Sequence, residues 1–148
     1  MIFKKKKKTF KDGQIKISVK ENFSNLKFFT NIIKNIEYFV FFGTLLGLTR
    51  DNNLIENDDD IDFYVNIKER DNLIKILKDH SINVNLELKV NKNKSFLQIK
   101  NKINNKDAIV DFYFFEDDLD EHHLIEKWNF EGGTHIPSKR FITNLWKK

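Results

Sequence analysis

The chain has 148 residues with 40% hydrophobic content, including 15 Phe, enough for one domain around a single core and too apolar for an intrinsically disordered chain. It has no Cys, which excludes disulfides, thiolate metal sites and Cys nucleophiles and fits a reducing, cytoplasmic setting. The formal charge of +4 is exceeded by the five consecutive lysines Lys4 to Lys8, so the basicity belongs to a tail and the remainder has no basic excess for nucleic acid.

Residues 1–12 are expected to be a solvated, disordered tail, with weak contact to an anionic membrane surface through Lys4 to Lys8 as a lesser role. The segment that follows, TFKDGQIKISVKENF, lacks the apolar stretch of an export signal. No segment approaches the roughly 18 apolar residues of a membrane helix. Residues 13–148 are expected to form one domain.

Taken in chain order, Gly13 to Val19 alternates and reads as a short strand. Glu21 to Ile36 sets Phe23, Leu26, Phe29, Ile33 and Ile36 at helical spacing. Tyr38 to Phe42 is continuously apolar, as in a strand buried on both faces. It ends at Gly43-Thr44, where a short helix begins. Asp60 to Ile67 is a second apolar strand, and Lys68 to His80 an amphipathic helix with Leu73, Ile74 and Leu77 inward. Asn83 to Val90 and Ser95 to Asn101 alternate like the arms of a hairpin joined by NKNK. Asp107 to Phe115 is a further buried strand interrupted by one charge, Asp111. Beyond an acidic loop, PSKRFITNLW reads as a closing helix with Pro137 at its start. Helices and strands in mixed order imply an α/β or α+β fold around one sheet.

The chemistry concentrates in FGTLLGLTRDNNLIENDDDIDFYV, Phe42 to Val65. On a strand Asp60 and Asp62 share a face, while Ile61 and Phe63 take the other; Asp58 joins the first pair if the chain is already extended there. Adjacent carboxylates repel, and a cation between them removes the penalty. Hard oxygen ligands suit Mg²⁺ or Mn²⁺, with phosphate oxygens and water completing the shell. Asp111, in IVDFYFF, is costly to bury unless paired or liganded; the other reading places it on a solvent-facing strand surface. Gly43-Thr44 at a helix start offers backbone N–H groups to a phosphate, and Arg50 lies six residues past Thr44. Taken singly, each is as well explained by a tight turn or a surface charge; together their order is specific.

That order resembles the nucleotidyltransferase superfold and, more narrowly, the LicD and fukutin-related family. The family pattern is G-T-L-L-G, two residues, Arg, then a spacer into D-D-D-x-D. VDFYFF is similar to its second acidic strand, and FEGGTHIP followed by an aromatic-rich helix to its closing segment, so the likeness runs from about Tyr38 to Trp146. The resemblance implies a mixed central sheet flanked by helices. It also implies Mg²⁺-dependent transfer of a phospho-alcohol group, such as phosphocholine or ribitol phosphate, from a CDP-linked donor to a hydroxyl of a glycan or glycolipid. Lipopolysaccharide and teichoic acid are acceptors of that kind. Carried over by motif, Asp60 and Asp62 are metal ligands and Asp111 is the third catalytic carboxylate. Gly43 and Thr44 are the phosphate cradle, Arg50 is a donor-phosphate contact, and Asp58 is a motif position of open role. Against typical members the chain is short, so acceptor recognition is expected to be reduced, altered or supplied by another protein.

Rival readings are a D-x-D glycosyltransferase using a nucleotide sugar, a non-catalytic binding scaffold of the same fold, and a calcium loop. The last has oxygen-bearing residues at Asp58, Asp60, Asp62 and Glu69, but Phe63 stands where the loop's sharp turn needs Gly. His122, His123 and His135 have no metal-ligand spacing and read as loop residues.

Overall fold

A computed structural model of the chain describes residues 17–56, 58, 60–92, 94–117, 123–128 and 138–143. The expected basic tail and the segment Gly13 to Lys16 lie outside them.

The first helix, α1 (Val19–Ile32), starts at Ser18. The Glu21 amide donates to Ser18 Oγ (3.1 Å), and the Ser18 amide donates to Glu21 Oε1 (3.0 Å). This reciprocal capping box satisfies two amides that a helix start leaves unpaired. It also corrects the strand expected to reach Val19: the Ser-x-x-Glu signal outweighs a short alternation. The apolar stripe of α1 buries Leu26 and Phe29, and Ile33 and Ile36 follow inward.

Next come β1 (Tyr38–Val40), α2 (Phe42–Arg50), β2 (Asp60–Asn66) and α3 (Arg70–Asp79), then β3 (Phe96–Ile103), β4 (Lys106–Asp117), β5 (His123–Trp128) and β6 (Ser138–Thr143). The sheet runs β1-β2-β4-β5-β6, and β3 pairs with β4. Strands β2 and β4 are parallel; the remaining pairings are antiparallel, so the sheet is mixed. The α+β class and the mixed sheet flanked by helices are as expected from the sequence.

Two local expectations fail for identifiable reasons. The hairpin joins β3 to β4, not residues 83–90 to 95–101. Its turn is Asn104-Asn105, both with positive φ (51° and 62°), a two-residue geometry that Asn tolerates and that matches strand twist. Residues 83–90 form no strand. There the Asn85 side chain accepts the Glu87 amide (3.1 Å) and the Asn85 carbonyl accepts from Asn91 Nδ2 (2.7 Å), local bonds that replace a ladder. At the other end, the expected closing helix is instead strand β6, paired residue for residue with β5 from His123↔Thr143 to Trp128↔Ser138. Phe141, Ile142 and Thr143 favour a strand, and β5 supplies the ladder partners. Pro137, His122, His135 and residues 144–148 lie outside the described residues.

The two faces of the sheet differ. Ile61, Phe63 and Val65 of β2 pack with Val110, Phe112 and Phe114 of β4 and Leu97 and Ile99 of β3, beneath Leu26 and Phe29 of α1 and Leu73 and Leu77 of α3. The rings of Phe63 and Phe112 stack at 5.4 Å. The opposite face carries Asp60, Asp62 and Tyr64 from β2 and Asp111, Tyr113 and Phe115 from β4. No helix among the described residues is long and apolar enough to cross a membrane.

Candidate active site

Parallel pairing of β2 with β4 sets Asp62 opposite Asp111, with Asp60 two residues up the same face. The oxygens that Asp60, Asp62 and Asp111 can offer a cation all lie within 4.8 Å of one another. All three residues are buried, at 5%, 2% and 7% exposure. Of the two sequence readings of Asp111, the structure selects the convergent one. Three carboxylates so close repel strongly in a poorly solvated site, and their hard oxygens suit a small divalent cation. The cluster could therefore hold a metal ion. Asp58, half-buried and ahead of β2, is not among the converging groups.

The helix start expected at Gly43-Thr44 abuts this cluster. The Asp62 amide donates to Thr44 Oγ1 (3.0 Å), and the Asp62 carbonyl accepts the Phe41 amide (3.1 Å). Both main-chain groups of Asp62 are thus held by the β1–α2 junction, with the buried Thr44 hydroxyl standing in for a strand partner. The start of α2 has no side-chain cap, which leaves a helix N-terminus of the kind that binds anions. Phe42 sits there with φ of 48°, a conformation that costs about 1–3 kcal/mol for a residue with a side chain. Its ring lies 4.9 Å from Tyr113 and 5.7 Å from Tyr64, contacts that help hold the strained turn.

Gly47, the second glycine of G-T-L-L-G, has a steric role. A Cβ there would lie 2.6 Å from the Asn53 carbonyl oxygen and 3.0 Å from the Ile55 nitrogen. Only glycine lets the chain fold back against α2 on its way into β2. Arg50 is at the far end of α2, about 10 Å along the axis from Gly43 at 1.5 Å per residue. It is exposed and ion-paired with Asp51 (2.7 Å), which raises the Arg50 pKa and lowers that of Asp51.

Three supporting residues escaped the sequence reading. Asn22 of α1, fully buried, donates through Nδ2 to the carbonyls of Asp58 (3.2 Å) and Asp60 (3.4 Å), fixing the entry to β2. Gln98 of β3 donates through Nε2 to Asp111 Oδ1 (2.8 Å). Asn91 takes the Gln98 amide on its Oδ1 (2.7 Å) and donates Nδ2 to the Gln98 carbonyl (3.0 Å). Asn22 had a legible signal, a polar residue inside the apolar stripe of a helix. Gln98 and Asn91 had none, because their meaning depends on which strands pair.

The mixed sheet, the three acids on adjacent strands and the helix start beside them define a nucleotidyltransferase fold. The solved structure of the lincosamide antibiotic adenylyltransferase LnuA, lincomycin-bound, shares that fold with a TM-score of 0.51. The match covers 89% of this chain and 73% of that one at 19% identity, a likeness of fold alone. Comparison with curated proteins gives no match. The family model described as LicD/FKTN/FKRP, nucleotidyltransferase domain, matches residues 35–147, and the chain belongs to this family. It is a transferase domain of the LicD type, as the motifs implied.

Proposed function

We propose that the protein transfers a phospho-alcohol group, of the phosphocholine or ribitol-phosphate kind, from a CDP-activated donor to a glycan or glycolipid hydroxyl. The observation that carries the reading is the convergence of buried Asp60, Asp62 and Asp111 beside the α2 start. Family membership supports it for residues 35–147.

In this reading Asp60, Asp62 and Asp111 hold Mg²⁺ or Mn²⁺, which when bound neutralises charge on the donor phosphates. The amides of Gly43 and Thr44 face a phosphate oxygen across the helix N-terminus. The acceptor oxygen forms a new bond to the phosphorus that carries the alcohol, the anhydride P–O bond breaks, and CMP leaves. Asp111 takes the hydroxyl proton. Positioning and charge neutralisation supply most of what phosphoryl transfer needs. Arg50 meets the donor only if it exchanges Asp51 for phosphate. Asp58 keeps the entry to β2 acidic. The reaction belongs in the cytoplasm, where activated nucleotides are made.

The test is release of CMP or UDP followed by ³¹P NMR, with Mg²⁺, a glycan acceptor and CDP-choline, CDP-ribitol, CDP-glycerol or UDP-sugars, in parent and Asp62→Asn proteins. Release from a CDP donor that disappears in the variant is the expected result. Turnover of a UDP-sugar would replace this reading with a glycosyltransferase. Binding of nucleotide without turnover of any donor would leave a scaffold.

A further inference from the structure

We infer that Gln98 is a positioning residue for Asp111, locked in place by Asn91, and that it sets the affinity of the carboxylate cluster for a divalent cation. The inference rests on the metal-holding part of the proposed function.

Three observations carry it. Gln98 faces Asp111 across the β3–β4 ladder, and its Nε2 donates to Asp111 Oδ1 at 2.8 Å. The amide and carbonyl of Gln98 both go to the Asn91 side chain, on the side of β3 away from β4. Gln98↔Asp111 is therefore a non-hydrogen-bonded pair of the antiparallel ladder, the kind in which facing side chains come closest. Asn91 is itself buried and tied down. Its Nδ2 also donates to the Asn85 carbonyl (2.7 Å), and its carbonyl accepts from Arg70 Nη2 (3.5 Å), which links the chain of contacts to the start of α3.

A carboxylate has about four lone-pair sites, so one bond to Gln98 fixes the rotamer of Asp111 while leaving it able to ligate. An amide donor adds no charge to a cluster already rich in negative charge. Asp60 and Asp62 lie on one strand and are set by its pleat. Asp111 comes from a different strand, and its Oδ1 is aimed by a neighbour on a third. Removing a hydrogen-bond partner that orients a ligand typically weakens metal binding 10–100-fold.

The test is titration of Mn²⁺ into the full chain, followed by the paramagnetic resonance of free Mn²⁺, for parent, Asp62→Asn, Gln98→Met and Gln98→Asn. Met keeps the length of the side chain without the donor; Asn keeps the donor one methylene short, and serves if the Met variant does not fold. Melting in EDTA controls for folding. The expected result is Mn²⁺ binding by the parent, loss in Asp62→Asn, and at least about 10-fold weaker binding in both Gln98 variants with metal-free melting unchanged. Parent-like Mn²⁺ affinity in folded Gln98 variants, with Asp62→Asn still defective, overturns the role of Gln98 and leaves the metal site standing. No Mn²⁺ binding by the parent, or none lost in Asp62→Asn, overturns the metal reading and this inference with it.

Discussion

Strand β2 buries all seven of its residues, yet its two faces do opposite work. Ile61, Phe63 and Val65 lie under α1 and α3 in a wholly apolar core. Asp60 and Asp62, at similar burial, meet a third carboxylate from β4. Burial alone therefore says little about the role of a residue. One face is buried because water is expelled from hydrocarbon, which stabilises the fold. The other holds charges whose burial costs stability unless something of opposite sign joins them.

The sharpest way to break this comparison is to damage each face separately. Phe63→Ala removes a ring stacked on Phe112 and should cost about 3–5 kcal/mol in urea unfolding. Asp62→Asn should do the reverse in EDTA, melting no lower than the parent because a repelling charge is gone. In saturating Mg²⁺ the parent should gain about 2.7 kcal/mol at a hundredfold excess over Kd, and the variant should gain nothing. A parent indifferent to Mg²⁺ would erase the distinction between the faces.

The support of the acidic face can be tested next. Gly47→Ala forces a Cβ against the Asn53 carbonyl, so the segment between α2 and β2 must shift. A loss of about 1–3 kcal/mol is expected by urea unfolding, with weakened Mn²⁺ binding as β2 moves. The smallest effect lies in the helical layer over the apolar face. The Lys106 ammonium (2.8 Å), helped by the Ser18 amide and Asn104, holds the Glu21 carboxyl at about 2, below the usual 4.5. Its folded pKa is depressed, so the stability it contributes is complete above pH 4.5 and lost as pH falls towards 2. Glu21→Gln should flatten the acid limb of a melting-temperature profile across that window without altering metal binding.

What was legible in the sequence follows the range of the forces involved. The D-x-D face of β2 and the charge inside β4 depend on strand parity, and each was found at the expected position. The helix beside Gly43-Thr44 starts at Phe42, so β1 ends at Val40 and is half-buried where a strand buried to Phe42 was expected. Family membership followed from the same block. The β3–β4 hairpin was misplaced because alternation in 83–90 looked like a strand, while Asn104-Asn105 was the real turn. The closing segment was read as a helix with Pro137 at its start, but residues 138–143 pair with β5 as a strand. Gln98 and Asn91 act through the pairing of β3 with β4, so no local pattern announces them, whereas Asn22 shows as a polar residue inside the apolar stripe of α1. Arg50 was legible as a motif residue, and the structure shows it engaged by Asp51 at the far end of α2.

The parallel register of β2 against β4 joins Asp62 to a partner about fifty positions later. During synthesis, a growing chain that has released only its first hundred residues holds two of the acids and lacks the third. If the cluster holds a cation as proposed, its capture must await the docking of β4, and a fragment ending before Lys106 should fail to retain the ion however well its helices form.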